Sequence, residues 1–202
     1  MRRTIGTTLL AAVLLLSLGA QAEAKDRCAL KGSKTLRQTS KLRLYSIGLD
    51  RFYVCVRANG RRFRADDRRS QDVTMLKSTL TSAGSFGAVA YSYYRNEDTA
   101  GLRVVVIDLR TGKQRVHAEN PDEFSDPRVP ALVLRSTGAA AWVYEQTPIS
   151  SSEGTRVREV HAAGTGAIRT LDSGLDIAAA SLALSGATVS WTKAGERRTA
   201  TI

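Results

Sequence analysis

The sequence predicts an all-β chain built from repeating units of about fifty residues, and three observations carry that reading. No apolar stripe of helical period runs for three turns; short β-branched and aromatic runs alternate with Gly, Asn, Asp and Ser instead. A strand, a turn and a basic strand recur, residues 51–61 aligning without a gap on residues 103–113 at an offset of 52. A strand, a glycine turn and a small-residue strand closed by an aromatic occur three times, with Gly87, Gly138 and Gly186 spaced 51 and 48 residues apart. Two independent patterns of similar period indicate tandem supersecondary units, and four short strands per period is what a β-propeller blade requires. The expected fold is a propeller-like array of about three and a half to four four-stranded antiparallel blades.

Taken in order, the chain begins with an export signal. Arg2 and Arg3 form a positive n-region, residues 5–20 an uncharged and mostly apolar run, and Ala22-Glu23-Ala24 a small-x-small cleavage site. That run is 16 residues long, short of the roughly 20 a spanning helix needs. Residues 1–24 are therefore read as a signal peptide and the mature protein as secreted or periplasmic. No later segment is long and apolar enough to cross a bilayer as a helix.

Residues 25–34 form an N-terminal segment. In an oxidising compartment the two cysteines are expected to pair as Cys28–Cys55. Closing that loop contributes about 3.5 kcal/mol on the chain-entropy model. Residues 35–202 are expected to form a single propeller-like domain. Within it, Asn59-Gly60 is a hairpin turn, because Asn and Gly both tolerate positive φ, and Thr111-Gly112 is the turn at the matching position. A looser third copy turns through Gly164-Thr165-Gly166 between residues 156–161 and 167–171. The Gly/Ala-rich strands suit the innermost blade position, and Tyr91, Trp142 and Trp191, which close them, suit packing between blades. Tyr93 shares the face of Tyr91, whereas Tyr94 points the other way. The chain stops partway through a fourth unit, and residues 35–46 are the candidate to complete its last blade.

Two stretches carry a resemblance. Leu184-Ser185-Gly186-Ala187-Thr188-Val189-Ser190-Trp191 looks like the first half of a blade, and Val105-Val106-Ile107-Asp108-Leu109-Arg110-Thr111-Gly112-Lys113 looks like the second. Over about residues 35–202 the chain resembles the TolB-like, WD-like propeller repeats of bacterial secreted proteins. The Pro-Asp of that group's turn is absent from every copy here. The resemblance implies a propeller and, since most of the group bind proteins, a binding role; fold alone does not fix function.

Charge is unevenly spread. The chain has 30 Lys+Arg against 19 Asp+Glu, a formal net charge of +11. Residues 25–70 hold 14 basic and 4 acidic residues, whereas residues 71–202 hold 14 of each. Arg51, Arg57, Arg61, Arg62, Arg64, Arg68 and Arg69 interleave with Phe52, Tyr53 and Phe63. Such a face suits an anionic partner, because guanidinium planes fork onto carboxylate or phosphate. Arg57, Arg61, Arg62, Arg64, Arg68 and Arg69 are the expected binding residues. A nucleic acid is the usual partner of such a patch, but export argues for a protein or an anionic cell-envelope polymer. The competing reading is a solvated sheet face in an Arg-rich chain.

Catalytic constellations are missing from the sequence: no Gly-x-Ser-x-Gly, Ser-x-x-Lys, His-Glu-x-x-His or phosphate-cradling glycine loop occurs. His117 and His161 fall at non-equivalent places in their repeats, which predicts separate positions and no metal pair. Glu119, Asp122, Glu123 and Asp126 surround Pro121 and Pro127 without EF-hand spacing, and read as solvated loop acids. No catalytic residue, metal or cofactor is expected. The leading expectation is a non-enzymatic binding module; the alternatives are a secreted hydrolase or lyase with carboxylates at a propeller mouth, or a degenerate propeller fragment.

Overall fold

The computed structural model describes residues 27–48, 51–65, 74–94, 100–119, 127–147 and 156–202. The signal-like stretch 1–24 lies outside them. Among the described residues fifteen strands form four antiparallel sheets and no helix. The first sheet contains β1 (Ser33–Gln38), β2 (Leu42–Ile47), β3 (Arg51–Val56) and β4 (Arg62–Arg64). The second contains β5 (Thr74–Ala83), β6 (Phe86–Tyr94), β7 (Ala100–Asp108) and β8 (Gln114–Glu119). The third contains β9 (Arg128–Leu134), β10 (Ala140–Gln146), β11 (Val157–Ala163) and β12 (Arg169–Gly174). The fourth is three-stranded: β13 (Ile177–Ser185), β14 (Thr188–Lys193) and β15 (Glu196–Thr201). Every sheet is a meander in which each strand pairs with its neighbours in sequence.

Burial on both faces explains the apolar runs of the central strands. Successive side chains of a strand point to opposite faces. On β6, Ala88 and Ala90 join one core with Leu102, Val104 and Val106 of β7 and Trp142 of β10. The intervening Val89, Tyr91 and Tyr93 join another with Leu42, Leu44, Phe52 and Val54 of the first sheet. On β10, Ala140, Trp142 and Tyr144 face the second sheet, while Ala141 and Val143 face Ile177, Val189 and Trp191 of the fourth. The sheets thus stack face to face in sequence order, each shared core lying between consecutive sheets.

The two ends of the stack differ. The outer face of the first sheet carries Tyr45 and Tyr53, stacked at 5.6 Å, beneath the Cys28–Cys55 disulfide. Arg43 pins the N-terminal segment there, donating to the Cys28 carbonyl at 2.5 Å, Ser33 Oγ at 3.0 Å and Thr35 Oγ1 at 2.9 Å. The outer face of the fourth sheet is hydroxyl-bearing, with Thr188 opposite Thr201 and Ser190 opposite Thr199. Among the described residues no buried cluster joins the fourth sheet to the first.

Several expectations are corrected. The 35–46 stretch does not complete the last sheet: it forms most of β1 and β2 and pairs within the first. Its turn has no glycine; instead Thr39 Oγ1 accepts from the Lys41 and Leu42 amides at 3.3 and 3.0 Å, a hydroxyl-stabilised turn. The Gly/Ala-rich strands β6, β10 and β14 are the second strands of their sheets, paired on both sides, not the innermost edge. Small residues suit them because a sheet presses on each face of β6 and β10. The repeating turn glycine in the second sheet is Gly84, at φ +54, which matches Gly138 and Gly186 at +83 and +59. Gly87 lies inside β6, where a Cβ would come within 2.8 Å of Leu42 Cδ1.

Candidate functional site: a basic groove at the turn ends of the first two sheets

The expected arginine patch is divided by strand alternation. On β4, Arg62 and Arg64 oppose Cys55 and Tyr53 and so share the outer face of the first sheet, while Phe63 opposes Val54 and faces the second sheet. Arg62 Nη2 donates to the Arg27 carbonyl at 3.4 Å. Arg61 takes a structural post: it stacks on Phe63 at 5.4 Å and donates to the carbonyls of Arg110 and of Leu109, the latter at 3.4 Å. Arg68 and Arg69 lie outside the described residues.

Arg61 has counterparts 54 and 108 residues further on. Arg115 packs over Phe86 at 5.7 Å and donates to the Gly164 carbonyl, on the following sheet, at 3.1 Å. Arg169 donates to the Thr201 carbonyl of the fourth sheet at 3.2 Å. Each guanidinium therefore clasps a carbonyl of the next sheet. The equal spacing was the signal available in the sequence, obscured because arginines are abundant throughout.

Of the expected set, Arg57 lines a groove. A groove of about 740 Å³ opens between the first two sheets, walled by Ser40 and Lys41, by the 56–59 turn, by Gly84 and Ser85, by Leu109 and Arg110, and by Arg27. Four strand connections converge because consecutive meanders present their turns at the same end. Among the described residues its cations are Arg27, Lys41, Arg57 and Arg110, and no carboxylate belongs to the wall. Val56, Ala58 and Leu109 add apolar surface.

The groove cations are held by backbone. Arg27 Nη1 donates to the Ala58 carbonyl at 2.9 Å, and Arg57 Nη1 reaches the Thr39 carbonyl at 3.4 Å. Arg57 Nε is buried without an acceptor. Arg110 pairs with Asp108 at 3.6 Å but leaves 73% of its side chain exposed. The Arg110 and Thr111 amides, the Thr111 hydroxyl and the Arg110 charge hold the Asp108 carboxyl below its ordinary pKa against a smaller effect of burial. At the corresponding junction of the second and third sheets the turns close up: a Cβ on Gly84 would lie 3.0 Å from Ser136 Cβ, and one on Gly138 would meet Arg115 and Phe86.

The other candidates resolve differently. Tyr91, Trp142 and Trp191 are buried between sheets, as their repeat positions predict. Tyr93 packs beside Tyr91 at 6.2 Å. The two histidines are not separate: His117 on β8 and His161 on β11 both lie against Trp142, at 6.1 and 5.8 Å. Strand register explains it, since His117 opposes Val104 and His161 opposes Trp142 on one buried face. His161 Nε2 also contacts Glu159 Oε2 at 2.6 Å. Among the described residues no group of three His, Cys, Asp or Glu is placed to hold a metal. Asp122, Glu123 and Asp126 lie outside the described residues.

No protein-family model, no curated protein and no solved structure matches the chain.

Proposed function

We propose that the chain is an exported, non-enzymatic binding module, its sheets propeller-like blades of the TolB-like kind, that engages an anionic partner through the groove between its first two sheets. The observation that carries the reading is the groove wall: among the described residues, four cations from separate chain segments and no carboxylate. Like charges held close together repel, and a bound polyanion relieves that repulsion. Arg57 Nε, buried and unsatisfied, is a donor whose desolvation a ligand oxygen would offset. The signal-like N-terminus and the Cys28–Cys55 bridge support export, because disulfides persist outside the reducing cytosol.

The test is binding to immobilised polyglutamate and polyuronate at low and high salt. The native protein is expected to bind at low salt and release as screening rises. Replacing Lys41, Arg57 and Arg110 together by Ser is expected to weaken binding at least tenfold while leaving the thermal midpoint nearly unchanged. Native-like binding by that variant would place the site elsewhere; failure of the native protein to bind at either salt would remove the anionic-partner reading.

A further inference from the structure

The groove wall distinguishes between kinds of anion. Val56, Ala58 and Leu109 share it with Arg27, Lys41, Arg57 and Arg110. A polymer charged or hydroxylated at every unit has no group that gains from reaching such surface, since burying a polar group without a partner is unfavourable. An aliphatic side chain does gain from it. Among the described residues the wall also lacks any aromatic ring, the usual platform for the flat face of a sugar or base. A volume of about 740 Å³ falls within the range of small-ligand sites, about 300–1,000 Å³. It accommodates a short segment of chain and not a folded surface.

Resting on the binding role proposed above, we infer that the occupant is an acidic peptide segment of a partner protein. Its carboxylates meet Arg27, Lys41, Arg57 and Arg110, and one aliphatic side chain sits against Val56, Ala58 and Leu109. Charge complementarity selects the segment and the apolar contact sets its register. Among the described residues Arg27, Lys41 and Arg57 have no acidic side chain within ion-pair distance. Their charge is therefore available to a ligand, whereas Arg110 shares its own with Asp108.

The experiment titrates the disulfide-intact protein with three fluorescent probes: a hexapeptide of glutamates with one central leucine, its all-glutamate counterpart, and a uronate oligomer of equal charge. The leucine peptide is expected to bind about tenfold or more tightly than the all-glutamate peptide, the effect of burying one aliphatic side chain, and to lose most of that affinity in Arg57→Ser. Equal affinity for the two peptides, with both still weakened by Arg57→Ser, would overturn the apolar contact while leaving the anionic-partner reading intact. Tighter binding of the uronate than of the leucine peptide would overturn the peptide occupant in favour of an envelope polymer. Absence of salt-sensitive binding by all three would overturn both readings. Because the probe varies and not Leu109, which also packs against the core, the result does not depend on a core variant folding.

Discussion

Single residues in this chain do work that their type does not announce. Asp172, on β12, opposes Val160 and so faces the fourth sheet, where it accepts from Trp191 Nε1 and Lys193 Nζ, each at 2.8 Å. Burial alone would raise its pKa, but the hydrogen bonds from Lys193, Trp191 and the Ser173 amide outweigh that and lower it below 3.8. A carboxyl stabilised in this sense adds its full contribution above the unfolded-state pKa and loses it as pH falls through the folded value. Thermal melts from pH 7 down to about pH 2 are therefore expected to show a steeper acid loss for the native protein than for Asp172→Asn. At neutral pH the variant should be about 1 kcal/mol less stable, the lower end of the range for disrupting a charged hydrogen-bond partner because Asp172 is only partly buried. Parallel acid profiles would mean that the carboxylate contributes no net charge effect. At this scale the sequence was informative wherever the repeat set a position: Tyr91, Trp142 and Trp191 are core, as their shared place implies. Arg61, expected from its charge to be a binding residue, has its guanidinium on carbonyls of the next sheet. The meeting of His117 and His161 at Trp142 depends on two registers and the stacking of two sheets, which spacing along the chain does not encode.

At the level of elements, the turns decide what the groove contains. Asn59-Gly60, Thr111-Gly112 and the three small-residue turns were legible because glycine at positive φ leaves a mark in composition. The turn between β1 and β2 was not, because a threonine hydroxyl does the same job. The disulfide joins two of the groove's segments, since Cys28 follows Arg27 and Cys55 precedes Val56 and Arg57. Reduction by a dithiol, or replacement of both cysteines by Ser, is expected to lower the denaturant midpoint by the equivalent of about 3.5 kcal/mol. It should also weaken binding to polyglutamate several-fold, by releasing the segment that presents Arg27. Unchanged affinity in the reduced yet folded protein would show that Arg27 is held by its bond to Ala58 and its neighbours alone.

Across the whole molecule, repetition was the most readable property and connectivity the least. The period announced about three and a half to four units of short strands, and the described residues form four sheets, one of them three-stranded. Which strands belong together was misread at the N-terminus, because the first unit lacks the glycine that marks the others. The arrangement in series also has an energetic meaning: among the described residues each sheet shares an apolar core only with its neighbours in sequence, so stability resembles a sum of unit and interface contributions. The inner sheets have two such interfaces and the terminal sheets one. The first terminal sheet has a covalent tie and the Arg43 clamp in addition; the fourth has neither.

That asymmetry gives the chain a direction of unravelling. On the outer face of β14 and β15, Thr188, Thr199 and Thr201 are exposed, so peeling the fourth sheet from its neighbour exposes apolar surface mainly on one side. Hydrogen exchange under native conditions is expected to release the amides of residues 177–201 first and those of β2 and β3 later, with the order at the first sheet reversing once the bridge is reduced. Uniform exchange across all four sheets would mean that they open as one body. If the order holds, partial opening starts at the edge remote from the groove, and the groove end is the last part of the protein to come undone.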